Sequence, residues 1–515
     1  MTMDPVRSVG GRAGLLWQRL TLGLDRYRYA FLLGLGALFF TTAALRARAT
    51  PFWHDEIYTL LLARLPTLRD IWHAARDGAD LTPPLNVFLT RGVEALAGAG
   101  PISSRLPAML GFWTMSLIVF HIVRARSNVL IACAAALIPW YTQGYRYSYE
   151  ARGYGVMLGL FALLLWAWSE AARGHRRRLW LPVFAAAIAA TLWNHYFGAV
   201  TFVPIACGEV YRWAKHRSPD WALWAAAGAG LVICGPLVPL VRNAAGQSAT
   251  YWRHATWMDV GDTYWFLFRN LWSFDRWIVA LIVAVVVLGL IRGGLRKLPP
   301  MAAGHEVVAG VIAVGLPAMT VALGKLTGGF TPRYALSGVV SCAIVVPLAL
   351  WWISRKSRVV EGVLLVILAI GVVQPSIDVV QHPPMFGDPF AQRPKLMEQL
   401  QASPPVVVAG AVQYLQLWYY APADLRPRLW YIADPVRALK YKGGDTPDRG
   451  YVTLARWAPI GIRGYEQLTA QQGFTLYDDG SGWLPAQLHD SGAVMTALLA
   501  ERGAHVSHVV VAGGR

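Results

Sequence analysis

Charge is scarce in this chain. Only 15% of its 515 residues are Asp, Glu, Lys or Arg, against 55% hydrophobic, and mean hydropathy is +0.39. That balance excludes a soluble globule and points to a polytopic membrane protein. Cysteine is scarcer still. Cys133, Cys207, Cys234 and Cys342 all fall inside apolar runs. Such placement offers no disulfide framework or metal-ligand spacing and suits buried small side chains. A Walker-type phosphate loop, a dinucleotide fingerprint and an internal repeat are all missing, which argues against ATP-driven transport. No cleavage site follows the first apolar run, so it reads as a retained span rather than a signal peptide. Acidic residues are the rarer sign: 47 Lys and Arg against 29 Asp and Glu leave a net charge of +18. The excess sits mostly in short loops between apolar runs, where it sets orientation and does not bespeak nucleic acid.

Apolar runs are abundant. Candidate spans cover 29–45, 106–123, 128–143, 154–172, 179–195, 197–211, 221–241, 277–291, 305–323, 335–353 and 360–375, about eleven in all. Basic clusters alternate between them: Arg124 and Arg126; Arg173 to Arg178; Arg212, Lys215 and Arg217; Arg292, Arg296 and Lys297; Arg355, Lys356 and Arg358. With Arg7, Arg12, Arg19 and Arg26 they put the N-terminus and these loops in the cytoplasm. The remaining loops face outward. The stretch 81–99 would invert this alternation if it crossed. It holds Arg91 and Glu94 near its middle, so it reads as a surface helix started by its prolines. The first outer loop, 46–105, then carries interfacial helices over 56–65 and 67–77. Residues 1–375 form the membrane part. From 376 a polar, proline-rich stretch leads into a small α/β domain, 376–515, outside the membrane. Strands are expected at Val406–Ala409, Leu429–Ile432, Tyr451–Leu454 and Val509–Val511, and a helix at Ala493–Arg502.

Several outer segments carry groups suited to chemistry. Trp53-His54-Asp55-Glu56-Ile57-Tyr58 follows the first span directly. Its two carboxylates are placed for proton transfer, with His54 and Tyr58 as neighbours on a substrate. Asp55 is equally placed to cap the helix beginning near Glu56; capping and catalysis are compatible. In Tyr145-Arg146-Tyr147-Ser148-Tyr149-Glu150-Ala151-Arg152-Gly153-Tyr154, Arg152 could grip a phosphate through paired N–H groups. Glu150 could hold a hydroxyl or a cation, and tyrosines such as Tyr147 and Tyr154 could stack on a sugar. An interfacial aromatic belt with a local ion pair is the plainer alternative. Asn194-His195-Tyr196-Phe197 and Gly329-Phe330-Thr331-Pro332-Arg333-Tyr334 fall on the same face. Arg333 could neutralise a lipid-linked phosphate or snorkel to a headgroup. Acids, arginines and tyrosines thus converge at one membrane boundary.

These residues resemble C-type membrane glycosyltransferases. The acidic pair resembles the first-loop motif of that family. Pro83-Pro84-Leu85-Asn86, Tyr149 to Tyr154, His195-Tyr196-Phe197 and Pro332-Arg333-Tyr334 look like later landmarks of bacterial members similar to protein O-mannosyltransferases and lipid A aminoarabinose transferases. The resemblance covers about 50–355 and stops short of the C-terminal segment. It implies a polyprenyl-phosphate sugar donor and a glycan, lipid or protein hydroxyl as acceptor. It also implies inversion at the anomeric carbon on the extracytoplasmic face of a bacterial inner membrane. Asp55 would match the catalytic base, with Glu56 beside it. Asn86, Tyr147, Glu150, Arg152, Tyr154, His195, Tyr196, Arg333 and Tyr334 would lie on substrate. A divalent cation is left open by the family. Two other classes stay on the table. A flippase of lipid-linked glycans predicts broken helices with ionisable residues at midplane. A non-catalytic assembly protein predicts dispensable outer acids.

Overall fold

The computed structural model describes residues 19, 21–251, 253–269, 302–354, 358–385, 390, 393–402, 405–471, 473–501 and 503–511. The expected span at 277–291 and the basic loop after it lie outside the described residues. Helix α1 (Arg28–Ala49) leads into the long first loop. The loop folds as α2 (His54–Ala63), α3 (Leu68–Asp77) and α4 (Leu85–Ala97), close to the helices expected there. Asp55 does not cap α2; the helix starts at His54, two residues earlier than expected, and the Trp53 N–H donates to Glu56 Oε2 at 3.2 Å.

A bundle follows: α5 (Leu106–Arg124), α6 (Val129–Leu137), the short α7 (Gln143–Tyr147), α8 (Tyr154–Ala172), α9 (Arg177–Asn194), α10 (Phe202–His216), α11 (Trp221–Val232), α12 (Val238–Gly246), α13 (Asp259–Phe268), α14 (Gly304–Val314), α15 (Leu316–Thr327), α16 (Ser337–Ile353) and α17 (Arg358–Gln381). Among the described residues, four helices are long and apolar enough to cross a membrane, or six if the bent pairs Trp221–Val232 with Gly235–Gly246 (40°) and Gly304–Val314 with Leu316–Thr327 (59°) each count once. Length and apolarity alone therefore support fewer crossings than the eleven expected. The other expected helices that fall in the described residues are present but shorter, as at 129–141 and 337–353, or more charged, as at 202–216.

Two small residues decide how α8 sits. A Cβ on Gly155 would lie 2.3 Å from the Ala108 carbonyl oxygen, and one on Gly159 2.6 Å from that of Gly111. Only glycine allows the backbones of α5 and α8 to touch, the small-xxx-small device of membrane helix packing. The contact fixes the segment leading into α8, which carries Glu150 and Arg152.

The C-terminal segment forms a six-stranded mixed sheet in the order β3-β2-β1-β4-β6-β5. The strands are β1 (Val406–Val408), β2 (Leu429–Ile432), β3 (Ile462–Arg463), β4 (Phe474–Asp478), β5 (Val494–Glu501) and β6 (Ala504–Val510). β1, β2, β3 and β4 pair in parallel, while β6 runs antiparallel between β4 and β5. Two expectations fail here. Residues 494–501 are a strand, because pairing along β6 outweighs the helix-favouring Ala and Leu of that run. Tyr451–Leu454 ends a helix, Thr446–Leu454, whose start is set by Pro447 and whose Tyr451 and Leu454 face the core. The segment packs on the loop after α1 through one shared apolar cluster that includes Ile57, Tyr58, Leu60, Leu417, Trp418 and Tyr451. The Phe52 N–H donates to Tyr420 Oη at 2.5 Å, and Gln416 Nε2 donates to the Phe52 carbonyl at 3.3 Å.

Candidate active site

The first turn of α2 sends two adjacent carboxylates in different directions, since neighbouring side chains diverge by about 100° around a helix. Asp55 faces a cavity of about 560 Å³, a size suited to small-molecule and cofactor sites. Its Oδ1 lies 3.0 Å from His54 Nδ1, and its Oδ2 accepts from Arg333 Nη2 at 2.9 Å. Glu56 turns inward and is fully buried. Arg105 grips it through Nε at 2.7 Å and Nη2 at 2.8 Å, and the Ala151 N–H donates to its Oε1 at 2.7 Å. Arg105, also fully buried, spends its remaining donors on the carbonyls of Ala47, Thr50 and Pro51. Glu56, expected beside the base as a second reacting acid, is thus absent from the cavity wall. It ties α2 to the loop before α8.

That tie brings Arg152 up behind Asp55. Its Nη1 donates to Asp80 Oδ2 at 2.8 Å, to Thr59 Oγ1 at 3.1 Å and to the Asp55 carbonyl at 3.3 Å. Arg333 comes from the loop after α15. Its guanidinium packs over Trp53 at 5.2 Å and Tyr154 at 5.9 Å. Burial would raise the Asp55 carboxyl, but the His54 hydrogen bond and the charges of Arg333 and Arg152 outweigh it, so Asp55 stays ionised far below the usual carboxylate range. α9 ends at Asn194, and His195 is extended, with φ −160 and ψ 129. His195 Nδ1 accepts the Phe197 N–H at 3.2 Å, which caps the short helical turn Tyr196–Thr201. The break presents His195 and Tyr196 to the cavity, with Tyr334 4.9 Å from His195 between ring centres.

Of the expected residues, His54, Asp55, Tyr58, Arg152, Tyr154, His195, Tyr196, Arg333 and Tyr334 all line this one cavity. Four do not. Beside Glu56, Tyr147 packs behind Tyr154 at 5.0 Å. Asn86 reaches the Ala151 carbonyl at 3.4 Å and lines a separate void of about 10 Å³ with Thr59, Asn194 and His195. Glu150 is buried against Arg146 at 3.3 Å, and burial, reinforced by Glu56, pushes its carboxyl up to about 7. Sequence reasoning passed over Asp80, Tyr251 and Arg105. Asp80 had a signal: it lies in the turn-rich Gly78-Ala79-Asp80-Leu81-Thr82-Pro83 of the same outer loop. Arg105 served only as the loop's end, and Tyr251, which bonds Tyr334 Oη at 2.8 Å, carried no signal.

The cavity has an apolar side. Val241 and Ala244 of α12 and Leu323 and Leu326 of α15 are among its lining residues, and Leu326 is 85% exposed. Thr446, Pro447 and Gly450 of the C-terminal segment close another side. Among the described residues no group of three or more His, Cys, Asp and Glu side chains could hold a metal ion. Both Asp55 oxygens already face donors, and two arginines flank it, so this corner suits an anion and does not fit a bound cation.

No protein-family profile and no curated protein sequence matches the chain. Solved structures do. The crystal structure of ArnT from Cupriavidus metallidurans bound to undecaprenyl phosphate superposes with a TM-score of 0.56 at 12% identity, over 93% of this chain and 97% of that one. The same protein in the apo state gives 0.55 at 11% identity, over 94% and 98%. The likeness runs over more than nine-tenths of both chains, and at such identity it is a likeness of architecture: the chain has the fold of ArnT.

Proposed function

We propose that this protein is an inverting glycosyltransferase that moves a sugar from a polyprenyl-phosphate carrier to a hydroxyl acceptor on the outer face of a bacterial inner membrane. One observation carries the reading. A single cavity joins an ionised carboxylate, Asp55, to an arginine, Arg333, and includes apolar side chains of α12 and α15 in its lining. That combination suits a lipid-borne phosphate, and the ArnT structure of like fold holds undecaprenyl phosphate. The acceptor hydroxyl attacks the anomeric carbon opposite the phosphate. Its proton passes to Asp55, and the C–O bond electrons leave with the phosphate oxygen, where Arg333 meets the growing charge. One base is enough for such a displacement, unlike the carboxylate pair of a glycosidase.

In this reading the shorter helices also cross, about eleven in all, with the N-terminus cytoplasmic, 1–375 as the membrane domain and 376–515 outside. The flippase alternative asked for ionisable residues at helix breaks. The bent pairs break at Ile233 to Gly235 and at Gly315, which carry no Asp, Glu, Lys, Arg or His. Purified protein in proteoliposomes, offered undecaprenyl-phosphate sugars and lipid or glycan acceptors, should release undecaprenyl phosphate in step with product. Failure to bind undecaprenyl phosphate would overturn the reading. Lipid-linked sugars that accumulate in a deletion strain would name the donor.

A further inference from the structure

The two arginines at the cavity are held very differently. Arg152 is fastened by Asp80, Thr59 and the Asp55 carbonyl. Arg333 hydrogen-bonds through Nη2 to Asp55 Oδ2, and its buried Nε has no hydrogen-bond partner among the described residues. A guanidinium has five N–H donors in a fixed fork, so most of this one's capacity is unspent. The rings of Trp53 and Tyr154 hold its plane without consuming a donor. It lines the cavity wall beside the carboxylate.

We propose that Arg333 is a shared partner, bound to Asp55 when no phosphate is present and drawn onto the donor's phosphate when the carrier binds, so that the base is freed only with donor in place. The inference rests on the reading of the site given above. A carboxylate paired with arginine is a weak base, because protonation must break a charge-assisted hydrogen bond. A phosphodiester offers the fork two oxygens in the geometry it prefers. During transfer the leaving phosphate gains negative charge while Asp55 loses its own by accepting the acceptor's proton, so the arginine's preference moves further toward phosphate as the reaction proceeds. Arg152 keeps Nη1 on Asp80, Thr59 and the Asp55 carbonyl and so stays in place during the exchange. The other groups around Asp55 stay in place: His54 and Tyr58 on its own helix, Tyr154 at the start of α8, and Tyr451 from the C-terminal segment. Release of Arg333 therefore leaves burial, which favours the protonated carboxyl, less opposed.

The test needs neither the sugar nor the acceptor. Full-length protein in lipid nanodiscs is titrated from about pH 4 to 8, and Asp55 labelling by a water-soluble carbodiimide is followed by mass spectrometry. Carbodiimide reacts with the protonated carboxyl, so the midpoint of the labelling curve reports proton affinity whatever its amplitude. Without lipid, wild-type Asp55 is ionised throughout this range and should stay unlabelled down to pH 4. Saturating undecaprenyl phosphate should bring a labelling midpoint into the range, and Arg333→Gln should show one there without lipid. Wild-type Asp55 still unlabelled at pH 4, with lipid binding confirmed by native mass spectrometry, rejects the exchange but leaves the site reading intact. A lipid-driven rise of about one pH unit or more in the Arg333→Gln midpoint rejects it too, since the phosphate would then act on Asp55 directly. Absence of lipid binding rejects the site reading and the exchange together. If Arg333→Gln does not fold, the wild-type pair of curves still decides.

Discussion

The two ends of α8 carry ion networks of similar composition and opposite character. Its 19 residues separate them by about 28 Å. At the far end, Glu306 is held by Arg126 at 2.7 Å, Arg173 at 3.0 Å and Ser169 Oγ at 2.7 Å. Nearby, Asp220 joins Arg177 and Arg212, and Arg212 also holds Glu209. Every carboxylate there has its partners, and none lines the described cavity. At the near end, Asp55, Arg333, His54 and His195 line a cavity, and Arg333 Nε, His54 Nε2 and His195 Nε2 are buried without hydrogen-bond partners among the described residues. Arginine beside carboxylate therefore identifies nothing by itself. An unpaired ring nitrogen does not identify a site either, since His305 Nε2 beside Glu306 is also buried without a partner among the described residues; what separates the two ends is the cavity beside Asp55 and Arg333.

Substitutions at the two ends sharpen this contrast. The largest effect belongs to Asp55→Asn, which keeps shape but cannot take a proton. Transfer in proteoliposomes should fall by about 10²–10⁴-fold, while undecaprenyl phosphate binding and the thermal unfolding midpoint hold. Wild-type turnover in that variant would remove Asp55 as base. One residue along, Glu56→Ala should lower stability by about 3–5 kcal/mol, because it strands the buried charge of Arg105. Thermal unfolding in detergent reads this, and a stable, fully active variant would contradict the structural role.

Glu150 gives a pH signature of intermediate size. Its carboxyl is raised to about 7 in the folded protein, so the folded state binds the proton more tightly than the unfolded chain. That contribution to stability is present below the ordinary glutamate range and is lost as pH rises through about 7, an effect of up to about 3 kcal/mol. Glu150→Gln should flatten the fall in unfolding midpoint between pH 5 and 8 by removing this titration. An unaltered slope would mean that Glu150 is ionised throughout. The smallest effect is expected at the clasp. Arg173→Ala removes a partly exposed partner while Arg126 and Ser169 remain on Glu306. It should cost about 0–1 kcal/mol and leave transfer unchanged. A large loss of activity there would erase the distinction between the two ends.

Much of this was legible in the sequence for identifiable reasons. Long apolar runs have few options in lipid, so the bundle helices at 106–124, 154–172 and 358–381 lie where expected. Pro83-Pro84 announced the helix at 85–97, and motifs scattered from 54 to 334 did gather at one cavity. The C-terminal sheet was less legible. Residues 494–501 carry helix-forming side chains but take strand geometry from their neighbour β6, and neighbours cannot be read from local propensity.

What the sequence by itself determined is the inventory: apolar helices, an outer loop of short helices, and a set of acids, arginines and tyrosines that one membrane face could collect. What only the tertiary structure decided is the division of labour within that set. Asp55 and Glu56 are adjacent and chemically alike. Yet Glu56 became a buried anchor because Arg105, 49 positions away, reaches it, and Asp55 faces the cavity because Arg333, 278 positions away, does the same from the open side. The choice depends on which arginine arrives from which direction, and that follows from long-range packing such as the glycine contact of α5 with α8, to which neither acid's local sequence contributes.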